Sequence, residues 1–315
     1  MPSRGLHIVD GDSTGGTLRE SGFNKSGHIL SWRDALYSGP VPEDLTLRRL
    51  SRLRSLFWSS GKRKTEFDVR DARIAKYLDY DEIILWFGLE CTLCQLSLIQ
   101  LLSWFKTQNE APLHLTWVKQ HGGTLRRPEV AHAYACREFV NSQQMRLAAR
   151  VWHAFRSPSP LGLSRLLDSD LSALPGIRNT VRWILSEYPA KRDGLSRLQR
   201  KLLREIEVRE TAKAGEIVGA VLMKESVGDL LLFEFVEQYI QAPYPLVNVV
   251  EPTRNRRLSY RSQVALTDTG RDVLAGRADY ISLNGVDRWI GGVHLRGHRV
   301  NWRWDPRRQR VITLR

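Results

Sequence analysis

Four short, nearly unbroken apolar runs constrain this chain more than any other feature. They are LHIVDGD (6–12), HILSWRD (28–34), EIILWFG (82–88) and LHLTWV (113–118). A strand with one wet face alternates apolar and polar side chains, whereas a strand covered on both faces reads as a continuous apolar run. Such runs, alternating with helical patterns, predict a mostly parallel sheet with helices packed on it. One helix is predicted over 45–58, LTLRRLSRLRSLFW. There Leu47, Leu50, Leu53, Leu56 and Phe57 share one side and arginines cover the other. A second helix is predicted over 93–105.

The joined stretch 83–105, IILWFGLECTLCQLSLIQLLSWF, is long enough to span a bilayer and holds no lysine or arginine. Glu90, Gln95 and Gln100 would then sit at membrane depth, where unpaired polar groups are costly. Gly88 also separates a β-rich half from a leucine-rich half. The prediction is a buried strand followed by a buried helix, with no membrane association.

The 315 residues exceed one average domain. The pattern predicts an α/β domain over 1–124 and a helical region over 125–192, broken at SPSPLG and ALPG. A further unit is expected over 193–279, and a β-rich tail over 280–315. In the third unit, helices at 196–206 (with Ser196 as N-cap), 214–225 and 229–240 precede two strand-like runs around the basic turn PTRNRR and a short returning helix. That order predicts a winged helix-turn-helix. The fold class is therefore α/β plus α+β.

The net charge of +14 favours acidic partners such as nucleic acid or phosphorylated ligands, although solvated arginines alone also produce it. The third helix of the winged-helix pattern carries Asp229, Glu234 and Glu237 but no lysine or arginine. Phosphates repel such a helix, so it is not expected to read bases. The predicted nucleic-acid contacts are instead Arg254, Arg256, Arg257 and Arg261 of the wing, with Arg303 and Trp302 of the tail. That tail also carries Arg296, Arg299, Arg307, Arg308, Arg310 and Trp304.

The three cysteines cannot make a disulfide framework, and MPSRGLHIVDGD holds no export signal, so a reducing cytoplasm is expected. Cys91 and Cys94 stand where thioredoxin-like proteins keep a redox pair. Their apolar flanks and the absence of a recognisable partner strand predict buried structural thiols, not a working redox pair.

The segment DGDST (10–14) admits several chemistries. Spaced as D-x-D-x-T, it matches haloacid-dehalogenase-like phosphotransferases, with Asp10 as nucleophile and Asp12 as acid/base. The later acidic pair of such sites is missing. A GDS hydrolase with Ser13 as nucleophile lacks its downstream Asp-x-x-His. A phosphate cradle would use Gly11, Ser13, Thr14, Gly15 and Gly16 at a helix N-terminus, with Asp34 nearby. The bland alternative is that Asp12 or Ser13 merely caps the next helix. Because ligands bind beyond the carboxyl ends of parallel strands, Asp10, Asp12, Asp34 and Glu90 are expected near one another. Asp12, Ser13, Asp34 and Glu90 are the catalytic candidates, and a divalent cation among them is an option.

Several motifs carry a resemblance: HIVDGDST (7–14), ILSWRDALYSGPVP (29–42), YDEIILWFG (80–88), the long run LPGIRNTVRWILSEYPAKRDGLSRLQRKLL (174–203), ALTDTGRDVLAG (265–276) and LNGVDRWIGGVHL (283–295). Together they resemble the bacterial family called domain of unknown function 1835, with its helical partner region, over nearly the whole chain. Relatives commonly carry asparagine or an apolar residue at the position of Asp10, which argues against a nucleophile there. Many also carry an acidic, histidine-bearing run where this chain has Gly88, Leu89 and Glu90. If that run is an active site, this copy is altered.

Two functions are expected from these readings. One is a binding or regulatory protein that touches nucleic acid through phosphates without sequence choice. The other is an enzyme, a hydrolase or transferase, acting on a phosphorylated or nucleotide-like ligand at the strand ends.

Overall fold

The computed structural model describes residues 4–58, 62–89, 91–108, 111–118, 126–250 and 258–314. The chain forms two compact units, Met1–Val181 with Gly291–Val293, and Arg182–Ile290 with His294–Arg315. Most of the region read as a helical middle thus belongs to the first unit, and nearly all of the tail to the second.

The first unit runs β1 (Gly5–Val9), α1 (Asp12–Glu20), β2 (Gly27–Ser31), α2 (Leu47–Phe57), α3 (Lys62–Ile74), β3 (Glu82–Gly88), α4 (Thr92–Phe105), β4 (Leu113–Val118), α5 (Arg127–Ala135), β5 (Glu138–Phe139), α6 (Ser142–Arg156) and α7 (Leu161–Arg165). The sheet order is β2-β1-β3-β4-β5. The first four strands are parallel, and β5 is antiparallel to β4. Every residue of β1 and all of β3 after Glu82 are buried, which is why these runs contain no polar alternation. Val9, Leu18, Ile84, Trp86, Val118, Val130 and Ala133 form one core cluster from β1, β3, β4, α1 and α5. Helix α4 packs on β3 and against α6.

The membrane-length stretch is β3 followed by α4, as expected. Among the described residues no helix is long and apolar enough to cross a membrane. The region after 125, expected to be wholly helical, contains the two-residue strand β5, which pairs His114 with Phe139.

The sheet topology contains one reversal of strand order. The chain leaves β1 for β2 on one side and returns to β3 on the other. In an open parallel sheet, that reversal opens a crevice beyond the carboxyl ends of the two flanking strands. Here those ends lead into residues 10–14 and 89–94.

Helix α8 (Ile177–Ser186) leads into the second unit. There follow α9 (Arg197–Arg209), β6 (Ala212–Lys213), α10 (Ala214–Leu222), α11 (Asp229–Gln241), β7 (Val247–Val249), β8 (Gln263–Leu266), α12 (Asp268–Ala275) and α13 (Tyr280–Asn284). Last come β9 (Asp287–Ile290), β10 (Val293–Arg296), β11 (Trp302–Asp305) and β12 (Arg310–Thr313). Ser196 caps α9 as expected. Its hydroxyl accepts from Gln199 N while the Gln199 side chain accepts from Ser196 N, a reciprocal capping box. Leu198, Leu202, Leu203 and Ile206 of α9 are fully buried. Strands β6, β8 and β7 form an antiparallel sheet in that order, and the tail makes two further two-stranded sheets.

Candidate functional sites

The first unit offers the end of β1. Gly11 is the N-cap of α1 and supplies no capping side chain. This corrects the expectation that Asp12 or Ser13 caps the helix. Asp12 is instead the first helical residue, where the helix dipole favours a carboxylate, and it pairs with Arg33 at 2.5 Å. Ser13 is exposed. The Thr14 hydroxyl donates to Asp10 Oδ1 at 2.8 Å.

Asp34 does not join this group. Its carboxylate is buried and gripped by Arg54, whose Nη2 and Nε donate to Oδ1 at 2.6 and 3.0 Å. The same guanidinium donates to Ser38 O and Ala35 O at 2.5 and 2.9 Å. Side-chain exposure is 1% for Asp34 and 0% for Arg54. The expectation of Asp34 as a ligand or catalytic group is thereby corrected. A carboxylate paired with its own buried cation is a structural anchor, and nothing in the pattern of the arginine-rich helix predicts that Arg54 turns inward. Glu90 lies outside the described residues. Among the described residues, no three His, Cys, Asp or Glu side chains gather to hold a metal ion. The cation considered at the strand ends therefore has no described ligand set.

At the switch point itself the structure brings together Asp10, Cys91 and Cys94. The two cysteines form a disulfide, with Cα atoms 5.2 Å apart. This corrects the reading of them as separate buried thiols. Cys91 is the N-cap of α4 and its Sγ accepts from Cys94 N at 3.2 Å, so the first turn of the helix brings the i and i+3 sulfurs to one place. Cys91 is half-buried and Cys94 is buried. Cys94 Sγ stands 2.9 Å from Asp10 Oδ2. Burial pushes the Asp10 carboxyl above its usual range, against the Thr14 hydroxyl and backbone donors that pull it down.

A second feature of this unit was not anticipated. A cleft of about 330 Å³ beside the end of β2 is lined by Arg19, Ser31, Arg33, Glu66, Phe67 and Arg70, among others. Arg70 is nearly buried, with its guanidinium over Trp32 (4.0 Å) and Phe67 (4.5 Å). Its Nη2 donates to Ser51 Oγ at 2.6 Å and to Asp71 Oδ1 at 2.9 Å, and its Nε to the same Asp71 oxygen at 3.0 Å, so its charge is already paired, while Nη1 is buried without a hydrogen-bond partner.

In the second unit, Arg254, Arg256 and Arg257 lie outside the described residues. Arg261 is exposed and Trp302 half-buried. Arg303 is 4% exposed and pairs with Asp279 at 3.3 Å, which corrects its assignment as a phosphate contact. The better-placed cations surround the turn between β11 and β12. Asp305 Oδ1 accepts from the backbone N–H of Arg307 and of Arg308 at 3.0 and 3.2 Å, fixing a turn on which Arg307 and Arg308 are exposed, and Arg310, also exposed, opens β12. On α11 the exposed positions are Leu230, Glu234, Glu237, Gln238 and Gln241.

No protein-family model matches the chain, and no curated protein is similar to it.

Proposed function

We propose that the protein is a binding or regulatory protein of the cytoplasm whose second unit is a winged-helix module touching nucleic acid through phosphates. The order α9-β6-α10-α11-β7-β8, with the sheet β6-β8-β7, supports the winged helix. The observation that carries the nucleic-acid reading is the contrast within this unit. The helix that reads bases in such modules, here α11, exposes carboxylates and amides, whereas the Asp305-fixed turn and the start of β12 expose Arg307, Arg308 and Arg310. Arg261 and the wing arginines Arg254, Arg256 and Arg257 extend the basic set. Contacts of this kind bind without choosing sequence. Family membership in domain of unknown function 1835 is proposed on the motifs quoted above.

The test is fluorescence anisotropy on a labelled duplex. Replacing Arg307, Arg308 and Arg310 together by alanine should weaken binding equally for unrelated sequences and lower the salt slope by about one per lost phosphate contact. Replacing Glu234 and Glu237 by alanine should not weaken it. The reading is overturned if the triple variant binds like the wild type or the double variant loses binding.

A second reading, an enzyme or binder for a phosphorylated small molecule, rests on Arg19 at the cleft beside Arg33 and Arg70, both already paired with carboxylates, and on the Arg70 Nη1 that has no hydrogen-bond partner. Calorimetric titration with nucleoside monophosphates tests it. Binding lost in Arg19→Ala supports the reading, and no heat with any phosphorylated compound rejects it.

A further inference from the structure

We propose that Cys91 and Cys94 are a dithiol–disulfide exchange centre for low-molecular-weight disulfides, in which Cys91 meets the substrate and Asp10 handles the proton of Cys94. This activity belongs to the first unit and does not depend on the nucleic-acid reading.

Four independent observations converge on it. First, the pair sits at the topological switch point, where a parallel sheet presents its ligand crevice. Second, the two sulfurs are inequivalent: Cys91 is half-buried and Cys94 is 3% exposed. A substrate therefore reaches one before the other. The half-buried position also admits a small disulfide more readily than a folded protein. Third, Cys91 occupies the N-cap of α4, where the Cys94 N–H points at its sulfur and the positive end of the helix dipole lies beneath it. Both favour thiolate over thiol, the form that attacks. Fourth, the Cys94 sulfur lies against the carboxyl of Asp10. In the dithiol state, the Cys94 thiol donates its hydrogen to that carboxylate. In the disulfide state, sulfur has no hydrogen to give, so the contact requires the carboxyl to carry it. Burial of Asp10 favours the protonated carboxyl. The groups facing Asp10 are the Thr14 hydroxyl from α1 and the Cys94 sulfur from α4.

The exchange balances. The Cys91 thiolate attacks one sulfur of a substrate RSSR. A Cys91–SR bond forms, the substrate S–S bond breaks, and RS⁻ leaves and takes up the proton Cys91 had released. The Cys94 thiol then passes its proton to Asp10, and its thiolate attacks Cys91 Sγ. The Cys91–Cys94 bond forms, the Cys91–SR bond breaks, and the second RS⁻ leaves and takes a proton from solvent to become RSH, Asp10 keeping the proton it received from Cys94. The substrate gains two electrons and the protein dithiol loses them. A low-molecular-weight thiol runs the same steps in reverse. In a reducing cytoplasm such a disulfide is expected to be transient, as catalytic and redox-sensing pairs are.

The test uses the full chain carrying Cys136→Ser, which removes the exposed third thiol. After reduction with dithiothreitol and desalting, native protein is pulsed with iodoacetamide and the labelled peptides are quantified. Cys91 should be alkylated at least tenfold faster than Cys94. With glutathione disulfide as the probe, Cys94→Ser should hold glutathione on Cys91, whereas the parent should release it and close the internal disulfide. Asp10→Asn should leave Cys91 alkylation within twofold of the parent but slow closure of the internal disulfide by about a hundredfold or more, the scale of a lost proton acceptor. The proposal is overturned if neither cysteine reacts in the native protein, if Cys94 reacts first, or if Asp10→Asn closes as fast as the parent. The alkylation order needs no variant at the site and stands even if Cys94→Ser fails to fold.

Discussion

Replacing Asp34 by alanine separates an anchoring role from a functional one. The Arg54 guanidinium is fully buried and donates to both Asp34 oxygens, to Ser38 O and to Ala35 O. Alanine at 34 leaves that cation in the core with two carbonyl acceptors and no counter-charge. Removing one partner of a buried pair costs about 3–5 kcal/mol. For a unit of this size each kcal/mol lowers Tm by about 2–4 °C, so the loss should be about 6–20 °C. Circular-dichroism melts measure it, and urea titration should show a lower midpoint with an unchanged slope. The double replacement Asp34→Leu with Arg54→Met removes both charges together and should recover most of the loss, because a well-packed apolar pair substitutes for a buried ion pair at little cost. A Tm within about 2 °C of wild type for Asp34→Ala would refute the anchoring argument and return Asp34 to the functional candidates.

Further outcomes follow from other buried groups. His7 is 2% exposed, and burial holds its imidazole down to about 4, with Arg137 adding to the effect and Glu82 opposing it. The folded value lies below the unfolded one, so the unfolded chain binds the extra proton between pH 6.5 and 4. Stability should fall by about 3 kcal/mol across that window, and His7→Phe should flatten this component of the Tm–pH curve. Asp10 has the opposite sign for a carboxyl: its folded value is raised, so native ionisation is a cost that is present above that value and absent below the ordinary carboxyl range. Asp10→Asn should therefore raise Tm at neutral pH and lose its advantage in acid, while impairing disulfide closure. Arg303→Ala should lower Tm, because its partner Asp279 is a capping residue of α13, but should leave nucleic-acid affinity unchanged in an anisotropy titration.

The sheet was readable because β1, β3 and β4 are covered on both faces and so carry apolar runs of strand length. Helix α3 was not read: KRKTEFDVRDARI is dominated by charge and its apolar positions are too few to set a period. The sites were less legible, and for one recurring reason. The surroundings of each candidate group are set by partners far apart in the chain. Asp10 reaches Cys94 across 84 positions through the parallel pairing of β1 with β3, whereas the apolar neighbours of CTLC suggested inert thiols. Asp34 looked like a strand-end ligand because Arg54 sits on a helix whose arginines read as a solvated face. The basic, tryptophan-bearing composition of the tail pointed to Arg303 as a phosphate contact. Asp279 draws Arg303 inward instead, and the tryptophans are left half-buried.

The central claim, backbone contact by the second unit, is tested most directly by the salt dependence of wild-type binding to two unrelated duplexes. Exposed Arg261, Arg307, Arg308 and Arg310 carry the proposed contacts, and Arg254, Arg256 and Arg257, which lie outside the described residues, are proposed to add to them. Each phosphate met contributes about −0.9 to the slope of log affinity against log salt. The account expects a slope between about −3 and −6, the same for both duplexes. A flat salt dependence, a strong preference for one sequence, or no binding at low salt would contradict it.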